Sequence, residues 1–250
     1  MYGQVFSGDR FSLQVKFFND FASRRKVALA DNEVHLYQVF FSKQKQHLHD
    51  CMQMLSDTEK NGAARFRFET DRAHFIIAHG MLRKVLSRYL DVAPSRLRFS
   101  YGVCGKPVLE GMPGGCSLCF NMSHSHDIAL FALAWNSRIG VDVEYIRFIP
   151  DAEVIAKRFF APQENSAFSA VPPDKKLEAF YNCWTRKEAF LKATGDGLSR
   201  RLDSFTVSLV PEEPPRLLSV EGDPLETSRW HLSAFKPAHK YVGAFAVECN

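Results

Sequence analysis

The chain has 250 residues, 46% of them hydrophobic and 24% charged, so it can bury a large core and is unlike a disordered or collagen-like polypeptide. Lys and Arg number 32 against 28 Asp and Glu; a net charge of +4 is too small to indicate a nucleic-acid binder and is compatible with an acidic partner or a phosphorylated ligand. The longest strongly apolar run, Ile128–Trp135, is eight residues, well short of the roughly 20 needed to span a membrane. The N-terminus has no basic stretch followed by an apolar core, so a cytoplasmic protein without membrane attachment is expected.

Residues 1–33 read as an N-terminal extension with scattered Phe and the basic Arg24-Arg25-Lys26. Val34–Phe41 is rich in β-formers and predicts a strand. Ser56-Asp57-Thr58-Glu59 fits a capping box opening a short helix. A longer helix follows Thr70 to about Leu90, with Phe75, Ile76, Leu82, Val85, Leu86, Tyr89 and Leu90 on one face. Leu97–Tyr101 predicts a strand, Gly105-Lys106-Pro107 a turn and Gly111–Gly115 a loop. Cys116–Met122 and Ile128–Trp135 predict two strands around the polar patch Ser123–Asp127, and Ile139–Ile146 a third. Asp151–Phe160 and Leu177–Ala193 predict helices, and Phe205–Leu209 and Lys240–Cys249 late strands; Val210–Glu226, with four prolines, predicts a loop or hairpin. The six cysteines do not form a disulfide framework, and Cys116-x-x-Cys119 lacks a second pair at zinc spacing, so they read as reduced apolar residues. Each half has strands around one long helix carrying an Arg-Lys pair, a weak sign of duplication.

Three segments carry chemistry. In a strand Asp142 and Glu144 point to one face about 6.6 Å apart, and two carboxylates placed so suit a hard cation such as Mg²⁺; a solvated sheet face is the alternative. On a helix Trp184, Glu188 and Lys192 share one side; the Trp argues for partial burial of that side, where charges need partners. Asn121-Met122-Ser123-His124-Ser125-His126 at a strand end suits contact with an anion, and Lys106 adds a cation upstream. His47, His49 and Cys51, at a helix start, read as solvated surface.

In order, Gly105-Lys106-Pro107, Asn121–Ser125, Gly140–Glu144 and Trp184–Lys192 resemble the motifs of the 4′-phosphopantetheinyl transferase superfamily, in its large surfactin-type branch, and Leu55–Leu86 is also similar to it. The resemblance implies an α+β fold of two similar halves related by a pseudo-two-fold. Each is a small antiparallel sheet packed on a long helix, and the active site lies in the cleft between them. The division expected is 1–33 extension, 34–137 with coenzyme A phosphate contacts, and 138–250 with the Mg²⁺-binding and catalytic motifs. It implies a monomer that moves 4′-phosphopantetheine from coenzyme A to a serine of an apo acyl or peptidyl carrier protein, with Mg²⁺ or Mn²⁺, releasing adenosine 3′,5′-bisphosphate. Asp142, Glu144 and Glu188 would hold the metal, Glu188 or a metal-bound water beside it would take the serine proton, and Lys192 would stabilise the transferring phosphate or protonate the leaving group. Ser123, His124 and Lys106 match coenzyme A contacts. Where the family often has basic residues this chain has Glu59 and Gly62, and Lys60 and Arg65 stand nearby as substitutes. Arg186 and Lys187 lie off the Trp184–Glu188–Lys192 stripe and are expected to face outward and attract an acidic carrier. A non-catalytic binder of coenzyme A or carrier, and a Mg²⁺-dependent nucleotide phosphohydrolase, are the alternatives.

Overall fold

The computed structural model describes residues 5–7, 12–17, 26–102, 105–111 and 117–249. It is a mixed α/β structure. The first sheet has the order β1-β2-β3-β7-β6, formed by β1 (Val5–Ser7), β2 (Ser12–Phe17), β3 (Glu33–Phe40), β6 (Leu118–Ser125) and β7 (Ile128–Trp135). It is antiparallel except that β2 runs parallel to β3, so the expected extension adds two strands to its edge. The second sheet, β11-β12-β8, is antiparallel and comprises β8 (Ile139–Tyr145), β11 (Trp230–Phe235) and β12 (Tyr241–Glu248). Two short hairpins pair β4 (Phe99–Tyr101) with β5 (Pro107–Leu109), and β9 (Phe205–Val207) with β10 (Leu217–Val220). The helices are α1 (Leu48–Met54), α2 (Asp57–Ala64), α3 (Glu69–Leu90), α4 (Ala152–Phe159), α5 (Pro162–Ala170) and α6 (Lys176–Thr194). No described helix is long and apolar enough to cross a membrane.

Apolar side chains stack these elements in four layers. Ile76, Ile77, Met81, Leu82, Val85 and Leu86 of α3 pack on Tyr37, Phe120, Phe131 and Leu133 of the first sheet. The other face of that sheet, with Val34, Leu36, Leu130 and Ala132, meets Val141, Val143, Phe245 and Val247 of the second. Phe180, Cys183, Phe190 and Leu191 of α6 then cover the far face of the second sheet, against Val242, Ala244 and Ala246. The alternation of β8 follows: Ile139, Val141 and Val143 point between the sheets, while Gly140, Asp142 and Glu144 turn toward α6.

Local signals explain the helix ends. The expected capping box is present: Glu59 N donates to Ser56 Oγ (3.3 Å) and Ser56 N to Glu59 Oε2 (2.8 Å). α6 ends at Gly195, whose φ of 81° is the left-handed C-cap that glycine supplies without strain. α5, β5 and β11 fall where no element was expected. The polar patch is also not a separator: β6 runs on through Ser125 and only His126-Asp127 form the turn. The Gly111–Gly115 loop and Cys116 lie, apart from Gly111, outside the described residues.

Two buried cations correct the outward-facing expectation for α6. Arg186 is 3% exposed and donates to Ser208 O (2.6 Å) and Ser208 Oγ (3.1 Å). Lys187 is 1% exposed and donates to Glu164 Oε2 (2.8 Å), Leu202 O (2.7 Å) and Phe205 O (2.6 Å), using all three ammonium protons. The sequence pattern treats any charge off the apolar stripe as solvated, but α5 and the 202–209 segment cover that side of α6. The other sheet has its own buried pair. Arg83 on α3 donates to both Glu59 oxygens, with Nη2 at 2.6 Å from Oε2, and to Pro94 O and Leu97 O. Burial alone would raise the Glu59 pKa, but hydrogen bonds from His79, Arg83 and Ser56 outweigh it and hold the carboxyl at about 2.

Two predictions follow from this packing. A Cβ at Gly140 would strike the backbone of α6 at Ala189 O and Ala193 N, neither of which can yield without moving the helix. Gly140→Ala should therefore cost about 3 kcal/mol in chemical denaturation and lower activity with it. Glu59→Gln should cost about 3 kcal/mol, because it leaves the Arg83 charge buried and unpaired. Since the folded carboxyl lies near 2 against 4.5 ordinarily, its stabilisation is complete above about pH 4.5 and is lost as pH falls toward 2. Acid titration of unfolding should show this fall in the parent and a shallower one in Glu59→Gln.

Candidate active site

The site forms where β6, β8 and α6 meet. β6 and β8 belong to different sheets, and side chains bridge them. Asn121, Ser123 and Ser125 alternate along β6 and so share one face. Val141 N donates to Asn121 Oδ1 (2.9 Å), Ser123 Oγ to Asp142 Oδ1 (2.9 Å), Ser125 Oγ to Glu144 Oε2 (3.0 Å), and Tyr145 N to Ser125 Oγ (3.1 Å). This polar alternation inside an apolar strand is a signal that the sequence reading treated as anion contact alone.

From the other side, Lys192 Nζ donates to Asp142 Oδ1 (2.6 Å) and to Ser123 Oγ (3.1 Å). The second Asp142 oxygen, Oδ2, is buried and accepts no hydrogen bond. Glu144 is pushed above the usual carboxylate range, by burial first and then by Asp142. Glu188 is raised in the same way, by burial and then by Asp142. Asp142, Glu144, Glu188, Lys192 and Ser123 are thus brought to one place. From Ala179 to Ala193 every residue of α6 is buried except Trp184, Glu188 and Lys192, so the expected stripe is the helix's one half-open face. Trp184 stacks on Phe180 at 6.1 Å, which fixes the upper end of that stripe.

The donor set suits a hard divalent cation. It offers three carboxylates, one with an orphaned buried oxygen and two whose charge is disfavoured by burial and mutual repulsion, a cost that a cation would relieve. Among the described residues no three His, Cys, Asp or Glu side chains are already drawn into a closed metal cage; Lys192 occupies one oxygen of Asp142 instead.

His124 lies at the rim, its ring 6.1 Å from Phe41, which also stacks on His74 at 4.1 Å. Its pKa is lowered, by desolvation first and then by the positive potential of His74, Lys192 and His79, so the rim favours an anion. The turn beside it is braced: Ser42 N and Oγ donate to Asp127 at 2.7 and 2.6 Å.

The remaining expected contacts sit differently. Lys106 Nζ donates to Ile139 O (3.0 Å) and Lys192 O (2.6 Å), tying the last turn of α6 to β8, and burial lowers its pKa to about 8. Lys60 is 3.7 Å from Asp57, and Arg65 is exposed beyond α2. Neither is drawn to the carboxylates. Glu59, standing where the family often has a basic residue, is the buried partner of Arg83.

Residues 138–246 match the family model of the 4′-phosphopantetheinyl transferase superfamily, and residues 41–136 match that of the 4′-phosphopantetheinyl transferase N-terminal region. The chain is 37% identical to 4′-phosphopantetheinyl transferase HetI of Nostoc sp. over 88% of its own length and 90% of the relative's. It is 35% identical to 4′-phosphopantetheinyl transferase Sfp of Bacillus subtilis, over 63% of its length and 68% of the relative's. Among solved structures, the holo-[acyl-carrier-protein] synthase of Thermotoga maritima is 25% identical over 44% of this chain and 61% of the other, at a TM-score of 0.35. With matched residues on both sides of the β6–β8 seam and a relative matched over nearly its whole length, this chain belongs to the 4′-phosphopantetheinyl transferase superfamily, as an enzyme of that type.

Proposed function

We propose that this enzyme transfers 4′-phosphopantetheine from coenzyme A to a serine hydroxyl of an apo acyl or peptidyl carrier protein, releases adenosine 3′,5′-bisphosphate and requires Mg²⁺. The observation that carries this reading is the orphaned Oδ2 of Asp142, buried beside Glu144, Glu188 and Lys192. A buried carboxylate oxygen without a donor is costly unless a cation binds it.

In the reaction the serine oxygen bonds to phosphorus, the bond from phosphorus to the leaving phosphate breaks, and the serine proton must leave. Glu188, raised by burial and by Asp142, has the basicity to accept it. Asp142, Glu144 and Glu188 would hold Mg²⁺, which when bound neutralises charge on the pyrophosphate. Lys192 is held by Asp142 and Ser123 and carries the positive charge that the transferring phosphate needs. Ser123 and His124 would meet the coenzyme A phosphates. Lys106 retains one ammonium proton for that ligand after its two carbonyl bonds, and Lys60 and Arg65 would serve its outer end.

The test is mass spectrometry of an apo carrier protein incubated with coenzyme A, Mg²⁺ and the enzyme. A gain of one phosphopantetheinyl mass on the carrier is expected, lost in EDTA and restored by Mg²⁺ or Mn²⁺. Coenzyme A cleavage without that gain would make the protein a hydrolase, and neither change would make it a binder.

Two substitutions refine the roles. Asp142→Asn keeps an oxygen for Ser123 and Lys192 but removes the charge, so kcat should fall on the order of 100- to 1000-fold while the melting temperature barely moves. Near-normal activity at limiting Mg²⁺ would remove Asp142 from the metal set. His124→Ala should raise the coenzyme A KM with kcat little changed, because a remote phosphate contact supplies ground-state binding. A large fall in kcat at constant KM would instead put His124 in the chemistry.

A further inference from the structure

At the C-terminal end of α6 lies a space that the reaction does not use. A cavity of about 280 Å³ opens between β5, the start of β6 and the last turn of the helix. Val108 and Leu109, Leu118 and Phe120, Ile139 and Ala193 give it apolar walls. Small-ligand pockets run from about 300 to 1,000 Å³ with walls of this kind, so the space suits a small apolar body. Its described lining includes none of Ser123, His124, Asp142, Glu144 and Glu188, which separates it from the space that the carboxylates face.

The charge on the cavity has one sign. Lys106 and Arg138 are the charged residues of the described lining, and no carboxylate is among them. Arg138 is already paired, donating to Glu248 at 2.6 and 2.7 Å. Lys106 is not: Nζ donates to two neutral carbonyls, Ile139 O and Lys192 O, and among the described residues no carboxylate lies within ion-pair distance. Burial is what lowers its pKa to about 8, and a carboxylate beside it would relieve that cost. With two bonds made, one ammonium proton is open to such a partner. The free thiol of Cys119 also lines the cavity and is partly exposed.

We propose that this cavity binds a medium-chain fatty carboxylate, its chain among Leu109, Leu118, Phe120 and Ile139 and its head group on Lys106, and that the bound ligand slows transfer. The binding stands by itself; the slowing rests on the transfer reading above. It follows from what Lys106 holds. Its two bonds join the last turn of α6 to β8, and Lys192 in that turn reaches Asp142 at 2.6 Å. A head group that draws the ammonium off the carbonyls slackens the turn and moves Lys192 away from its working position. It also takes the proton that coenzyme A would use.

The test has a binding arm and a kinetic arm. In calorimetry of the parent, octanoate should bind about tenfold more tightly than octanol, its uncharged counterpart. Val108→Trp, at a position 51% exposed on the cavity, and Cys119→Phe, from within it, should each abolish octanoate binding, with melting temperatures confirming that both fold. At about ten times its Kd, octanoate should slow iodoacetamide alkylation of Cys119, mapped by peptide mass spectrometry, about tenfold. Saturating coenzyme A should leave that alkylation unchanged. With apo carrier, octanoate should lower kcat on the order of tenfold even at saturating coenzyme A. Val108→Trp should match the parent without octanoate and be indifferent to it.

No octanoate binding, or binding that survives in both variants, would overturn the proposal. So would equal protection of Cys119 by coenzyme A, which would make the cavity part of the coenzyme site. Equal binding of octanol would remove Lys106 as the head-group partner and the carboxylate with it. If octanoate binds and protects Cys119 but the parent labels no carrier, the transfer reading fails and the site stands. If the parent labels carrier at the same rate with octanoate bound, the link from the cavity to Lys192 is wrong.

Discussion

The site depends on the contact between α6 and β8 at Gly140. The helix backbone at Ala189, Lys192 and Ala193 lies against this residue with no room for a methyl group. At that separation Glu188 and Lys192 are close enough to act on Asp142, two residues along the strand. Lys106 secures the same contact from the end, joining Lys192 O to Ile139 O. A residue with a side chain at 140 would lift the helix, and the 2.6 Å bond from Lys192 to Asp142 would open first. Catalytic geometry of this kind tolerates little slack, since small displacements of charged groups lose much of their effect.

The second support is the seam between the sheets. β6 sends Asn121, Ser123 and Ser125 across to β8, so the strands are held by side chains where the site needs polar atoms. Ser123 shows the economy of the arrangement. Its hydroxyl donates to Asp142 and accepts from Lys192, so a residue matched to phosphate contact also orients the charged pair.

Much of this was legible because it is local or periodic. The capping box at Ser56, the long helices and the Gly195 stop follow from short-range rules that tertiary contacts did not override. The common face of Asp142 and Glu144 follows from strand alternation, and the Trp184–Glu188–Lys192 stripe from helical spacing. What was not legible is long-range. Nothing near Lys187 in the chain announces Glu164, 23 residues earlier, and nothing near Glu59 announces Arg83 on the next helix. β5 and β11 were missed because short strands have little pattern of their own, and α5 because its sequence, PQENSAFSA, has no apolar stripe. The Arg186 and Lys187 error has the same origin: charge predicts solvent only when no other element covers the helix.

That error bears on how the enzyme is built. From Ala179 to Ala193 the helix is enclosed on every side but one, and even its cations are spent inward on Ser208, Glu164, Leu202 and Phe205. A fully satisfied buried pair such as Lys187–Glu164 adds little net stability over an apolar pair of the same shape, but it has a defined geometry. Because Lys187 precedes Glu188 directly, fixing its ammonium on three acceptors fixes the rotation of α6 about its axis. Glu188 and Lys192 then reach the opening without freedom to turn away. The half-open stripe is therefore a consequence of the closed faces: burying Arg186 and Lys187 holds the helix in the one orientation that leaves the acid and the lysine facing Asp142.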